Sequence, residues 1–324
     1  MPTILITTDY LAPGDEVDAY LAGLGFTTRH DPMRGPRRPE ELIAALDGVQ
    51  GALIANEPFS AGVLRAAPDL RAIVRTGVGY DSVDVPAATR LGISVSNLPG
   101  VNANAVAEYT IALLLALARG LVPMAAGVAA GGWPRADGHE LRGKTLGLIG
   151  WGASARLVAP LATAFGMTVL CTTGVPQELR AGAPARFVPL DELLGAADFV
   201  SVHTALTDRT RHLIDAAALA RMKPGAYLVN TARGQIVDEA ALAAAVRGGR
   251  LAGAALDVVD VEPLPAGSVL RGVDGITVFS HMAGQTAEAR RNAGLDGAKE
   301  LVAALAGHPG SSVNAHLLDN EVRP

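Results

Sequence analysis

Short apolar runs alternate with segments of helical spacing along the N-terminal part of the chain. Thr3–Thr7, Ala52–Ala55, Ala72–Val74 and Ile93–Val95 read as strands. Between them, Glu16–Gly23, Pro39–Leu46, Ser60–Ala66 and Val85–Leu91 carry helical periodicity or helix-forming residues. Such alternation predicts a parallel sheet with helices on both faces, because parallel strands need crossover connections. A second series starts at Thr145, with strands expected over Thr145–Ile149, Thr168–Cys171, Phe199–Val202, Ala226–Val229, Gly253–Leu256 and Ile276–Phe279.

The loop chemistry of Asn97-Leu-Pro-Gly-Val-Asn102 separates the two series. A helix from Asn104 to about Arg119 is expected to carry the chain into the second. A helix from Thr286 to about Ala306 reads as the return crossing, followed by Gly307-His-Pro-Gly310 and a short polar tail. The expected organisation is therefore two doubly wound α/β domains: a discontinuous one, 1–99 plus 286–324, and an inserted one, 100–285. A length of 324 residues agrees with about two domains.

The join between the first two strands of the inserted domain carries the first chemical signal. The apolar stretch Leu146–Ile149 feeds into Gly150-x-Gly152-x-x-Ala155, and a helical pattern over Arg156–Phe165 follows. In that strand–turn–helix context, Gly150 permits the tight turn and Gly152 lets the backbone approach a pyrophosphate. Small Ala155 allows close helix–strand packing, and the phosphates would meet the free amides of a helix N-terminus, including Ala153 and Ser154. The pattern reads as a Rossmann dinucleotide-binding turn.

Composition removes other partners. Apolar residues make up 49% and charged residues 18%, with a formal net charge of −5 and no long Lys/Arg run. Nucleic acid is not an expected partner. The lone Cys171 offers neither a disulfide framework nor a thiolate metal site, and it falls in an apolar strand. The N-terminus lacks a basic leader and reads as a strand, so a cytoplasmic location is expected. Thr110–Ala118 is the most membrane-like segment, but Arg119 and Gly120 end it far short of the ~20 residues a span needs. It reads as a buried helix, with a subunit interface as one setting, and no membrane partner is expected.

Three segments follow predicted strands of the inserted domain, where ligands collect in open α/β sheets. They are Asn230–Asp238, Leu256–Pro263 and Ser280–Ala287, and they offer Arg233, Glu262 and His281. An arginine can hold a carboxylate bidentately, a histidine can move a proton near neutral pH, and a carboxylate can orient that histidine. Such a trio is sufficient for carbonyl reduction without a metal. Each residue alone has a plainer reading: a surface arginine, a solvated glutamate before proline, or one of seven histidines. Periodicity alone does not separate His281 from His203, which also follows a strand. Their order behind the glycine turn carries the chemical reading.

The chain resembles the D-isomer-specific 2-hydroxyacid dehydrogenase family over nearly its whole length. The likeness lies in Arg75–Asp84, Asn97–Asn102, Val106–Glu108, the glycine turn and, most specifically, Met222-Lys-Pro-Gly-Ala-Tyr-Leu-Val-Asn-Thr-Ala-Arg-Gly-Gln-Ile-Val-Asp238. Asp257, Glu262-Pro263 and His281-x-Ala-Gly284 complete it. The resemblance implies a Rossmann cofactor domain inserted into a flavodoxin-like substrate domain, and an NAD(P)-dependent oxidoreductase. Its substrates would be small 2-oxo acids and D-2-hydroxy acids, such as glyoxylate and hydroxypyruvate. Arg233 would bind the substrate carboxylate and 2-oxo oxygen, and His281 would be the proton donor. Glu262 would hydrogen-bond His281 and support its protonated form. Backbone amides at Val78 and Gly79 would also grip the carboxylate, from the other domain, so that the site lies in the cleft between domains. Asp257 would accept from the nicotinamide carboxamide, and Thr231, Ala232 and His203 would line the nicotinamide side with His281 and Gly284. A homodimer is expected, and Trp133, after the crossing helix, reads either as an interface residue or as one reaching a partner's site.

Two positions depart from the pattern. Thr173 occupies the slot where an NAD site carries an acidic residue for the ribose hydroxyls, about 20 residues after the glycines. The balance leans to NADP(H), with NAD(H) open; Arg180 is the nearest arginine. Ala205 stands where the family has proline beside the nicotinamide. Formate dehydrogenase, a rival within the fold, carries an amide where Glu262 stands. A second reading is a dinucleotide-sensing relative of the corepressor type with little turnover. It would be expected to carry extra interaction segments, whereas this chain ends soon after the return helix. A C-terminal regulatory domain is likewise not expected.

Overall fold

The structure, a computed structural model, describes residues 1–32 and 37–321. The chain divides into two compact units, Met1–Asn102 with Thr286–Pro324, and Ala103–Gln285.

In the first unit the strands are β1 (Thr3–Ile6), β2 (Thr27–His30), β3 (Gly51–Ile54), β4 (Ala72–Arg75) and β5 (Ser94–Ser96). Helices α1 (Glu16–Gly23), α2 (Pro39–Ala45), α3 (Ala61–Arg65) and α4 (Val85–Arg90) connect them. All strand pairs are parallel, in the order β2-β1-β3-β4-β5, the flavodoxin-like arrangement. β3 is buried at every position, as a strand covered on both faces must be. Each helix start has a local cause: Asp15, Ser60 and Asp84 accept a backbone N–H three residues on, and Pro39 pre-sets the first turn of α2.

The second unit opens with α5 (Ala103–Arg119) and α6 (Leu121–Ala129), joined at Gly120, which adopts φ +59°. It continues as β6 (Thr145–Ile149), α7 (Ala153–Ala164), β7 (Thr168–Thr172), β8 (Arg186–Phe187), α8 (Leu190–Ala196), β9 (Phe199–Val202), α9 (Ala216–Arg221), β10 (Ala226–Asn230), α10 (Glu239–Arg247), β11 (Leu251–Leu256) and β12 (Ile276–Val278). The parallel sheet runs β12-β11-β10-β9-β6-β7-β8. Strand order reverses between β6 and β9, so the carboxyl ends of those neighbours flank a topological switch point, where ligands of open α/β sheets bind.

The chain then returns to the first unit as α11 (Ala287–Leu305), capped by Thr286, and packs on β3 and β4. The C-terminal tail is more ordered than its polar sequence predicts. Ser312 bridges β5, buried Asn314 donates to the Ile93 carbonyl and accepts from Val95, and α12 (Ala315–Glu321) follows. Three other elements also escape the apolar pattern. β2 is a polar edge strand, β8 has two residues, and α6 has no buried residue. Among the described residues no single helix is long and apolar enough to cross a membrane, and α5 and α6 meet at a 67° bend.

Candidate active site

The glycine turn is built as its sequence requires. Gly150 adopts φ +106°, and a Cβ there would lie 2.6 Å from the His203 carbonyl oxygen. Only glycine combines that conformation with that approach. Gly152 is the N-cap of α7 and supplies no side-chain cap, which leaves the first amides of the helix for an anion. Gly152 and Ala153 are exposed, whereas Ala155 is fully buried, in a cluster with Ala107 and Ile111 of α5. A Cβ-free cradle before uncapped helix amides fits a dinucleotide pyrophosphate.

β9 delivers His203 to the same place. Its backbone N–H donates to Ile149, its Nδ1 lies 3.1 Å from Ser154 Oγ, and its Nε2 lies 2.9 Å from Ser201 Oγ. Burial pushes the imidazole down to about 4, so it is neutral near pH 7. The loop beyond it lacks proline at Ala205 and is tied differently. Thr210 Oγ1 accepts from the Thr207 amide and lies 2.7 Å from the Ala205 carbonyl.

At the end of β7, Thr173 Oγ1 accepts from the Val175 amide. Arg180, in a 3₁₀ turn over Gln177–Arg180, donates through Nε to the Val175 carbonyl and through Nη2 to the Thr173 carbonyl, 3.3 Å away. Its guanidinium lies 5.2 Å over the Phe187 ring, which meets the Trp151 ring edge-on. The nearest arginine in sequence is therefore folded onto the Thr173 turn. Cys171 is buried, which pushes its thiol up to about 12 and leaves it inert near neutral pH.

The three loops with proton-transfer and carboxylate-binding chemistry converge at the carboxyl ends of β10, β11 and β12. His281 Nδ1 lies 2.8 Å from Glu262 Oε2. Burial pushes the Glu262 carboxyl up, but the His281 hydrogen bond and charge, the Val259 amide and nearby Arg233 outweigh it and hold it low. Glu262 therefore stays an acceptor for the imidazole across the neutral range. His281 adopts φ +59°, a conformation that costs a non-glycine residue about 1–2 kcal/mol. Asp257 holds it there. Its backbone carbonyl accepts from the His281 amide, and Oδ1 and Oδ2 accept from the Met282 and Ala283 amides, each at 2.8 Å. Asp257 is 1% exposed, so these bonds act without competition from water.

The Arg233 loop is fixed by two residues that the sequence reading passes over. Buried Asn230 donates to the Arg233 carbonyl and accepts from the Ala232 amide. A Cβ on Gly234 would lie 1.9 Å from the Val259 carbonyl carbon. Only glycine lets the 230–236 loop press against the segment that carries Glu262. The one sequence signal for it is a glycine directly after the candidate arginine. Thr231 Oγ1 lies 3.4 Å from Thr110 Oγ1 of α5, and half-buried Gly284 follows the Asp257-bound amides.

Val78 and Gly79 belong to the first unit, in the loop after β4. The Val78 carbonyl accepts from Asn97 Nδ2 at 2.6 Å, and the Gly77 carbonyl accepts from the Leu98 amide. Among the described residues, the Val78 and Gly79 amides donate to no other group. Val78 is 42% exposed. A half-exposed pair of unspent amides has the chemistry to receive a carboxylate.

Fold and glycine turn together define a dinucleotide-binding α/β protein with a hydrogen-bonded His–Glu pair beyond the carboxyl ends of β11 and β12. Residues 111–283 match the model of the D-isomer specific 2-hydroxyacid dehydrogenase NAD binding domain, and the chain belongs to that family. It is 39% identical over 331 residues to D-3-phosphoglycerate dehydrogenase of Mycobacterium tuberculosis, across 100% of this chain and 61% of that one. The chain thus spans about three fifths of the length of that relative. It is 37% identical to glyoxylate reductase of Thermofilum pendens, over 91% of this chain and 89% of the other. A solved structure of a Thermus thermophilus protein superposes with a TM-score of 0.87 at 37% identity, covering 96% of this chain and 99% of its own.

Proposed function

We propose that the protein is an NAD(P)-dependent D-2-hydroxyacid dehydrogenase that reduces small 2-oxo acids, glyoxylate and hydroxypyruvate first among them, and runs the reverse oxidation. The observation that carries this reading is the 2.8 Å His281–Glu262 pair. It stands on a loop pinned by Asp257, in the same unit as a glycine turn fitted to a pyrophosphate. The relatives named glyoxylate reductase and hydroxypyruvate reductase support the substrate class.

A dinucleotide held on the glycine turn would supply the hydride for the carbonyl carbon. Arg233 binds the substrate carboxylate and the 2-oxo oxygen, and its planar fork holds the 2-oxo acid in one orientation. The unspent amides of Val78 and Gly79 are suited to a carboxylate as well. His281 presents Nε2 to the carbonyl oxygen, because Nδ1 is committed to Glu262. It gives a proton to that oxygen as negative charge develops there and takes it back in the oxidation. Glu262 stabilises the imidazolium and keeps the ring from rotating. Thr231, Ala232, His203 and Gly284 would hold the nicotinamide side of the dinucleotide, and Asp257 would accept from its carboxamide.

NADP(H) is the preferred cofactor in this reading. Thr173 brings no carboxylate against a 2′-phosphate, and Arg180 adds a cation at the same turn. A homodimer forms through α6 and the segment after it: Val128 is 49% and Trp133 82% exposed, an apolar surface that a second copy covers. A cytoplasmic location suits a chain whose one cysteine is buried and unpaired. The test is oxidation of NADH and NADPH against glyoxylate, hydroxypyruvate, pyruvate and longer 2-oxo acids. Turnover with the short acids, abolished in His281→Ala while dinucleotide affinity holds, is expected. Tight dinucleotide binding without turnover on any acid would refute the assignment.

A further inference from the structure

Ser201, His203 and Ser154 form a polar chain that leads out of the core to the glycine turn. Ser201 is fully buried on β9, and His203 is 9% exposed. Ser154 is half-buried in the first turn of α7. The chain thus has one closed end and one end that a ligand can reach. Each serine is within hydrogen-bond distance of a different ring nitrogen, Ser201 of Nε2 and Ser154 of Nδ1.

A neutral imidazole has one N–H and one acceptor nitrogen, so two proton arrangements are open. In one, Nε2–H donates to Ser201 Oγ, and Nδ1 accepts the Ser154 hydroxyl proton. Ser154 then shows only lone pairs to an incoming anion. In the other, Nδ1–H donates to Ser154 Oγ, Nε2 accepts from the Ser201 hydroxyl, and the Ser154 proton is free to point outward. Both arrangements hold the same three protons, and no charge moves.

Resting on the dinucleotide reading above, we propose that Ser154 is a hydroxyl donor to the dinucleotide phosphates, and that binding selects the Nδ1–H tautomer of His203. Ser154 is then a specificity element for the anion beyond the backbone amides of the turn, and His203 with Ser201 is its positioning relay. The burial that keeps His203 uncharged keeps the relay in its two-state, neutral form. A protonated ring would donate from both nitrogens and could accept from neither serine.

The test uses the whole protein labelled with ¹⁵N-histidine, with the His203 signals assigned by their loss in His203→Gln. NADPH and NADH are titrated into the wild type and Ser154→Ala. The expected result is proton attachment at His203 Nδ1 in the complex, with affinity for both dinucleotides about tenfold weaker in Ser154→Ala, as for one hydrogen bond to a charged group. An Nε2–H ring in the complex, or unchanged affinity in Ser154→Ala, would overturn the proposal while leaving the dinucleotide reading intact. Failure of the wild type to bind either dinucleotide would overturn both. Ser201→Ala gives a second check. It leaves Nε2 without a partner, and a buried unpaired N–H costs more than an unpaired lone pair, so the bound ring should stay Nδ1–H with affinity near that of the wild type; an Nε2–H ring in that complex would overturn the relay.

Discussion

Asp257→Asn separates the support of the proton donor from the donor itself. In the wild type, both carboxylate oxygens of a buried side chain accept backbone amides, from Met282 and from Ala283. Hydrogen bonds to a charged group are worth about 1.5–3 kcal/mol each. Asparagine keeps one acceptor oxygen and turns an amide N–H toward the other backbone N–H. The variant therefore loses one such bond and leaves a buried donor unpaired, a change of about 2–4 kcal/mol in the loop. The strain of His281 at φ +59°, about 1–2 kcal/mol, acts in the same direction, because the loop releases it when it moves. Together they reverse the margin that holds His281 in place, and most molecules carry a displaced imidazole. A loss of about 1.4–2.8 kcal/mol in transition-state stabilisation corresponds to about ten- to a hundredfold in kcat. Steady-state reduction of hydroxypyruvate, with dinucleotide affinity followed by fluorescence quenching, should show kcat falling far more than cofactor affinity. A folded Asp257→Asn protein with wild-type kcat would refute the claim that this carboxylate positions His281.

Three further outcomes follow from the same geometry. Glu262→Gln keeps an acceptor for His281 Nδ1 but removes the charge, so kcat for reduction should fall about ten- to a hundredfold with a smaller change in KM; equal kcat values would exclude an electrostatic role. Gly234→Ala places a Cβ 1.9 Å from the Val259 carbonyl carbon, so it should separate the Arg233 and Glu262 loops and lower both thermal midpoint and activity; a variant with both unchanged would contradict the close approach. His203 is held from its ordinary 6.5 down to about 4, so the unfolded chain takes up its proton first as pH falls. The stability it secures is whole above about pH 6.5 and is lost between there and pH 4, about 2–3 kcal/mol by pH 4.5. Urea unfolding of wild type and His203→Gln at both ends of that window should show their difference shrinking by that amount, whereas parallel curves would refute the buried neutral ring.

The parallel sheets were legible because most of their strands are continuous apolar runs, and the six strands expected in the second unit differ from those observed by a residue or two at most, with two-residue β8 unforeseen. The features that sequence missed depend on neighbours rather than on period. β2, Thr27–His30, is an edge strand whose residues are half-buried or exposed, so no apolar run marks it. α6 is apolar without a buried side chain, and its signal merges with that of α5 until Gly120 turns the backbone. At the candidate site, Arg233, Glu262 and His281 stood out because their residue types suggest chemistry and each follows a strand. Gly234, Asn230 and Ser201 could not, since their roles arise from which backbone or ring lies against them. Asp257 was legible as a buried carboxylate at a strand end, but its grip on three consecutive amides is a tertiary fact. Arg180 lies seven residues along the chain from Thr173, and only the 3₁₀ turn places its guanidinium on the Thr173 carbonyl.

In the proposed reaction a hydride goes to the second carbon of a 2-oxo acid and His281 delivers the proton to oxygen. Reduction of hydroxypyruvate with dinucleotide deuterated at the transferred position of the nicotinamide ring tests it directly, read by mass and chiral analysis of the product. The expected product is D-glycerate carrying one deuterium at carbon 2, with none formed by His281→Ala. Glycerate without deuterium at carbon 2, or the L-isomer, would contradict it.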